Sequence, residues 1–218
     1  KLSTKSYLEI SENEEPHCTL EDILSNSEGL ILLTGSVDGL IGKLFYKNLT
    51  DIVYEIVNKI KMKFEKDIYI EIQRHGDTGE DNFEKFLLNI SENLDLPLIA
   101  THEVFYLNKE MYEAHDAYLC VGEKTYVNVK ERRRYSDQHY LKSSDEMYDI
   151  FKDLPEALEN NKLLPFRISY RPRNSLPILP KIQTTKSDDI DNLLKNEAST
   201  GLNEKLKEYV FPYLSKNE

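Results

Sequence analysis

The sequence predicts an α/β fold in which short parallel strands alternate with helices as a sheet or barrel. Three observations carry that expectation. Three apolar runs, 30–34, 68–72 and 97–101, have strand length. Amphipathic patterns of helical period lie between them, and the strand-plus-helix unit recurs at about 30 to 35 residues, the rhythm of right-handed βαβ crossovers.

Taken in order, Thr19-Leu20-Glu21-Asp22 is a helix start, a hydroxyl cap followed by acidic residues, and Gly29 is the expected end of that helix. Leu30-Ile31-Leu32-Leu33-Thr34 is too short for a helix, is bounded by Gly35 and reads as a buried strand. Over 49–66, Ile52, Val53, Ile56, Val57, Ile60 and Phe64 recur at helical spacing, while Lys59, Lys61, Lys63 and Lys66 gather toward the end where the helix dipole favours cations. Ile68-Tyr69-Ile70-Glu71-Ile72 alternates as a strand. The polar loop 74–80, with Gly76 and Gly79, leads into a helix through Phe83, Phe86, Leu87, Ile90 and Leu94, and 97–101 is the third strand. Active sites in such folds lie in the loops that follow the strands, here 35–40, 73–80 and 102–107.

Beyond Leu107 the pattern is helical, with Met111, Ala114, Tyr118 and Val121 along one face. Ser143-Ser144-Asp145-Glu146 is a capping box for a helix through Met147, Ile150 and Phe151. Between them lies the basic turn Lys130-Glu131-Arg132-Arg133-Arg134. Near Asn160 the texture changes: 166–170 is strand-like, Pro172, Pro177 and Pro180 punctuate an extended segment, and 186–191 is polar and charged. These features divide the chain into 1–160 and a connector-bearing 161–218, in which 201–214 carries one more amphipathic helix.

The 218 residues include 28 basic and 39 acidic ones, a net charge of −11. That balance argues against a protein held to nucleic acid by its overall field, because such binding rests on phosphate neutralisation; only local basic patches could serve. No run approaches the ~18 apolar residues of a membrane helix, and residues 1–6 lack a signal peptide's apolar core. A soluble cytoplasmic protein without membrane partners is expected. Cys18 and Cys120 are far apart and lack CxxC spacing, so neither a disulfide framework nor a zinc site follows, as befits a reducing compartment. Starting at Lys1 and ending in a polar run, the chain reads as part of something longer.

His75 in one post-strand loop and His102-Glu103 in the next could converge on a metal, because adjacent parallel strands end about 5 Å apart. Without HxH or HExxH spacing, the simpler reading is that His75 and His102 are solvent-exposed or hydrogen-bonded loop residues. His115 in a helix and His139 in an aromatic turn read as structural. Ser36 lacks a GxSxG elbow, and no GxGxxG or GxxxxGK[ST] occurs, so nucleophile, dinucleotide and Walker-type sites are unsupported. Arg132, Arg133 and Arg134, followed by Tyr135, could clamp phosphates or stack on bases; the alternative is a solvated turn paired with surplus carboxylates.

Taken together, Ile70-Glu71-Ile72-Gln73-Arg74-His75-Gly76, Leu96-Pro97-Leu98-Ile99-Ala100-Thr101-His102-Glu103-Val104, Glu113-Ala114-His115-Asp116-Ala117, Arg133-Arg134-Tyr135-Ser136-Asp137-Gln138-His139-Tyr140-Leu141-Lys142-Ser143 and Phe151-Lys152-Asp153-Leu154-Pro155-Glu156-Ala157-Leu158-Glu159-Asn160 resemble, in ordered succession, the alpha subunits of bacterial DNA polymerase III. The similarity runs over about 16–160 and, more weakly, through Gly201-Leu202-Asn203-Glu204-Lys205-Leu206. It implies the later part of a polymerase-and-histidinol-phosphatase (PHP) domain at 1–160, a partial distorted β/α barrel, followed by a helical segment, an extended connector and the start of the polymerase palm at 161–218.

In relatives with a working PHP metal cluster, a cysteine follows the first of these strands, and an aspartate and a histidine follow the last. The corresponding residues here are Ser36, Glu103 and Phe105. A hydroxyl is a poor substitute for a thiolate and phenylalanine has no lone pair, so the resemblance implies a metal-free, structural PHP domain with no catalytic residues. A metal-dependent phosphoesterase or proofreading activity using His75, His102 and Glu103 is the alternative. The resemblance further implies a nucleotidyltransferase in DNA replication, whose magnesium-binding aspartates lie beyond this chain. Implied partners are the rest of the subunit, the proofreading exonuclease subunit and, through the full subunit, DNA. The 132–134 turn and Arg167, Arg171 and Arg173 are candidate contacts to one of them.

Overall fold

The three apolar runs form one parallel sheet in the order β1 (Leu32–Leu33), β2 (Ile68–Gln73), β3 (Leu98–Thr101). The structure is a computed structural model that describes residues 1–178 and 190–214; Pro180, residues 186–189 and the polar end 215–218 lie outside the described residues. Leu32 is in register with Ile68, Ile70 with Leu98 and Gln73 with Thr101. The central strand buries Ile68, Tyr69, Ile70 and Ile72, as a parallel strand covered on both faces requires.

The chain divides into two compact units, Lys1–Ser169 and a second beginning at Tyr170. In the first, α1 (Leu2–Leu8) and α2 (Leu20–Ser25) precede the sheet. Thr19 caps α2 in a full capping box with Asp22, but the helix ends at Ser25, not at Gly29. Asn26 stops it by returning its side-chain amide to the Asp22 carbonyl (2.9 Å), and Gly29, at φ 73°, turns the chain toward β1.

The short helix α3 (Leu40–Tyr46) follows β1 and was not anticipated. Its Gly42 lies so close to the Val37 backbone that any β-carbon would collide with it. The long helix α4 (Thr50–Phe64) buries Val53, Val57, Ile60 and Phe64, and α5 (Glu80–Leu94) buries Phe83, Leu87 and Ile90, together forming the core against the sheet. Phe45 at the end of α3 stacks on Phe86 of α5 with ring centroids 4.7 Å apart.

After β3 come α6 (Tyr112–Gly122), α7 (Ser144–Phe151), whose Ser143–Glu146 capping box forms as expected, and α8 (Pro155–Arg167). The break expected near Asn160 falls inside α8, and of the strand-like 166–170 the first two residues end that helix while 168–170 join no strand. Asn160 donates its side-chain amide to the Leu98 carbonyl (2.7 Å) and Asn161 to that of Ala100, so helical side chains occupy the outer edge of β3. With that edge covered, 166–170 has no strand to pair with; Arg167 closes the helix by binding Asp67 and the Lys66 carbonyl.

The second unit holds irregular chain over 170–178, then α9 (Ile190–Lys205), a π-helical turn (Leu206–Val210) and a 3-10 turn (Phe211–Tyr213) at Pro212. The helix expected over 201–214 thus starts at Ile190 and is distorted in its second half. No helix of the described residues is long and apolar enough to cross a membrane.

Candidate functional site

β2 ends where Arg74 turns outward, and Arg74 anchors the loop that follows. Its guanidinium grips Glu84 of α5 (2.6 and 2.9 Å) and Asp153 beyond α7 (2.7 and 2.8 Å), and donates to the Ile150 carbonyl (2.6 Å). These partners, Asp153 foremost, raise its pKa above the ordinary arginine value.

In the next turn, the backbone N–H groups of His75, Gly76 and Asp77 all donate to one oxygen of Glu80 (2.7, 2.7 and 3.2 Å). The other Glu80 oxygen faces His75 Nδ1 at 2.8 Å. His75 Nε2 accepts from the Glu103 N–H at 3.0 Å, so the network assigns the ring proton to Nδ1 and leaves no lone pair free.

A third segment closes over these loops. Phe105 N–H donates to the His139 carbonyl and Leu141 N–H to that of Tyr106, both at 2.9 Å, pairing 105–106 with 139–141. His139 is thereby buried with Nε2 2.8 Å from Asp77 and Nδ1 3.1 Å from the Glu103 carbonyl. The remaining Asp77 oxygen accepts from the Ser136 N–H (2.9 Å), and the Ser136 hydroxyl donates to the His75 carbonyl (2.6 Å).

The imidazoles stack. His75 lies 4.1 Å from His139, with the rings nearly parallel at 3°, and 4.5 Å from His102, while Phe105 covers His139 at 4.8 Å. His102 differs from the other two. Its Nε2 faces the Tyr140 carbonyl at 3.1 Å, and its Nδ1 is buried without a partner. Burial first, then His75 and Lys142, lower its pKa to about 4, so the ring is neutral near pH 7.

The expected convergence of His75 with His102 and Glu103 occurs, although Glu103 takes part through its backbone and its carboxylate is half exposed. Asp77, Glu80, Ser136 and His139 were not anticipated as members. Ser36 joins none of these hydrogen bonds and lines a cavity of about 10 Å³ with Val37, Glu71 and Gln73. Phe105 has become an apolar member of the ring stack, between His139 and His115.

A PHP-type cation fits this set poorly. One ligand atom each from His75, Asp77 and His139 lies within 4.8 Å of the others, close enough to share an ion. Each of these side chains is nevertheless engaged: His75 by Glu80 and the Glu103 amide, His139 by Asp77 and a carbonyl, Asp77 by His139 and Ser136. Binding would have to break those bonds, and the free nitrogen, on His102, lies outside the trio. A cleft of about 630 Å³ opens beside the turn, yet it carries Glu80, Asp81, Glu84 and Asp153 against Arg74 and Lys85, a poor lining for a phosphate ester.

The arginine turn is divided. Arg132, almost wholly buried, forms a bidentate pair with buried Asp116 (2.7 and 2.5 Å). The Arg133 guanidinium lies over Tyr135, 5.0 Å from its centroid, and Arg134 is half exposed, 3.7 Å from Asp116. Carboxylate pairing therefore accounts for Arg132, with burial in place of the solvated turn.

Comparison with known proteins places these features. A PHP-domain model matches residues 1–75. The chain is 34% identical to DNA polymerase III subunit alpha of Caulobacter vibrioides over 207 residues, 95% of this chain and 18% of that protein. It is 32% identical to the same subunit of Rickettsia bellii over 202 residues, 93% of this chain and 17% of the relative, and 30% identical to that of Vibrio cholerae over 212 residues, 97% and 18%. It thus spans less than a fifth of the length of these relatives. With PHP sequence at its start and continuous similarity along nearly its whole length, the chain matches a fragment of DNA polymerase III subunit alpha.

Proposed function

We propose that this chain is a structural, metal-free part of the alpha subunit of a bacterial replicative DNA polymerase, the subunit that performs template-directed DNA synthesis. The observation that carries the reading is the similarity over 95% of the chain to such subunits, joined to a His75–Asp77–His139 trio in which every side chain already has hydrogen-bond partners within the protein. In this reading 1–160 is the later part of a PHP domain, with the three-stranded sheet one sector of a distorted β/α barrel. Residues 161–218 are the connector and the start of the palm. The compact unit Lys1–Ser169 holds the whole of α8, which moves this proposed boundary from 160 to 169.

Polymerisation, attack of a primer 3′-hydroxyl on a nucleotide α-phosphate, needs carboxylates holding two divalent ions, magnesium in this proposal. Those carboxylates belong to the palm outside this chain. The partners are the rest of the subunit, a proofreading exonuclease subunit and, through the whole assembly, DNA in the bacterial cytoplasm. The work of 1–169 is to present a rigid surface, its loops locked by the His75–Glu80 and His139–Asp77 pairs.

The test is metal analysis of the purified intact subunit alongside primer extension. Zinc and manganese well below one per subunit, unchanged in His102→Ala, with magnesium-dependent extension in both proteins, is the expected result. Stoichiometric zinc or manganese that disappears in His102→Ala would establish the phosphoesterase reading through His75, His102 and Glu103 instead.

A further inference from the structure

Lys142 is a buried amine with no acid to hold it. It is only 9% exposed, and its Nζ meets neutral partners: the Gln138 amide oxygen at 3.1 Å and the face of the Tyr140 ring, 3.6 Å from the centroid. No carboxylate of the described residues pairs with it, because the acids whose charge reaches it are committed elsewhere. Asp137 pairs with Lys109 (2.9 Å) and accepts from the Gln138 amide nitrogen (2.7 Å). Glu146 caps α7 through the Ser143 N–H (2.8 Å) and accepts from the Tyr140 hydroxyl (2.6 Å). Lys109 adds a like charge, and His102, which also lies in the field of Lys142, is neutral near pH 7. Burial first, and Lys109 with it, lower the pKa of Lys142 below the ordinary lysine value against the pull of Glu146 and Asp137, so a larger share of it is free amine. Desolvation beside another cation is a general way of making an amine nucleophilic.

We propose that Lys142 is a reactive amine that condenses with small, uncharged aldehydes to form a Schiff base. Gln138 both holds the amine and lines the cleft of about 630 Å³, so a single side chain connects the two. The carboxylates of that cleft, Glu80, Asp81, Glu84 and Asp153, repel phosphorylated or carboxylated carbonyl compounds, which confines the substrate class to neutral ones. In the step, the Lys142 nitrogen attacks the carbonyl carbon, the carbonyl oxygen leaves as water with both amine hydrogens, and a C=N bond remains; nothing is oxidised or reduced. An unprotonated imine also removes a buried charge that has no counter-ion.

The test is reductive trapping on the intact purified subunit, with acetaldehyde and sodium cyanoborohydride at pH 7 and peptide mass mapping of N-ethyl-lysine. Lys162, its side chain 74% exposed, is the internal reference. The expected result is that Lys142 is ethylated roughly tenfold faster than Lys162 although it is far less exposed, because the free amine is the attacking form. That ratio should fall as pH rises toward the ordinary lysine value of 10.5, where exposed lysines lose their protons as well. Glyoxylate, an anionic aldehyde, should show no preference for Lys142. Gln138→Glu offers the ammonium its missing carboxylate, so in that variant Lys142 should label no faster than Lys162, with the melting temperature reporting that the fold persists. Slower labelling of Lys142 than of Lys162 in the unaltered subunit overturns the proposal, whatever the variant does. So does a ratio independent of pH, or a folded Gln138→Glu that labels like the unaltered protein. Equal preference for glyoxylate overturns the restriction to neutral substrates.

Discussion

Asp116 and Arg132 depend on each other in the region after β3, because both side chains are buried and the two form a bidentate ion pair. Their mutual hydrogen bonds lower the pKa of Asp116 and raise that of Arg132. Removing one partner strands a charge, so Asp116→Leu or Arg132→Met alone should lower the thermal midpoint by roughly 5–10 °C, and the double variant should recover most of the loss. Differential scanning calorimetry of the three variants measures it; additive losses would mean that the pair is not a unit. His102 gives a pH signature. Its folded pKa is about 4 against 6.5 unfolded, so the unfolded chain takes up the proton first as pH falls. Stability is full above 6.5, declines between 6.5 and 4 and levels off below. Allowing for partial exposure, the loss is about 1–2 kcal/mol. Urea midpoints across that range should show a shallower slope for His102→Gln, and an unchanged slope would contradict the assignment. The meeting of His75 and His102 was legible in the sequence because neighbouring parallel strands end side by side. The entry of His139 and Asp77 was not, because it depends on 105–106 pairing with 139–141, a contact that no periodicity announces.

At the scale of elements, the sequence was a good guide wherever local chemistry decides. The Thr19 hydroxyl cap forms, with Asp22 completing a capping box, and the Ser143–Glu146 capping box forms as expected. It failed where a neighbouring element decides. Residues 166–170 have strand-like composition, yet Phe166 and Arg167 end α8 and 168–170 join no strand, because Asn160 and Asn161 already cover the outward carbonyls of β3. The α6 stripe has core spacing yet faces out, because the Asp116–Arg132 pair takes the inner side. Asn160→Ala with Asn161→Ala should therefore cost about 2 kcal/mol, roughly one per lost hydrogen bond, and expose a strand edge to intermolecular pairing. Urea titration with light scattering would reveal both effects; a stable, monodisperse double variant would show that the asparagines do not protect the edge. The capping carboxylates predict an acid limit. Glu146, held by the Tyr140 hydroxyl and by Ser143, and Asp22, held by Lys5 and Thr19, have pKa values lowered to about 2. Their contribution is present above the ordinary carboxylate range and is lost as pH falls toward 2. Glu146→Gln keeps the acceptor and removes the proton, so the acid-induced shift of the Ser143 amide resonance should vanish in that variant.

For the whole molecule, the alternation of strand and helix was readable because three buried strands must be apolar and the helices covering them amphipathic, while the short α3 and the asparagine-bearing α8 carried no such pattern. The remaining question at this scale is whether the first unit is held together by an ion or by its own bonds. The links between β2–α5, the loop after β3 and the 135–141 segment are all direct: Glu80 on three amides, Asp77 on His139 and Ser136, His75 on Glu103. A cation binding only the folded state would add RT ln(1 + [L]/Kd), about 2.7 kcal/mol at a hundredfold excess over Kd, which is several degrees of melting temperature for a domain of this size. A unit closed by direct hydrogen bonds gains nothing of the kind, and a cation that displaced Asp77 from His139 would have to offset the broken bonds first. The melting temperature in EDTA, in zinc and in manganese should therefore agree within about 1 °C, since the folded and unfolded states then differ little in metal affinity. An increase of several degrees with one metal, absent from Asp77→Asn, would mean that the carboxylate and the two imidazoles yield their internal partners to an ion, and that the loops are set by coordination.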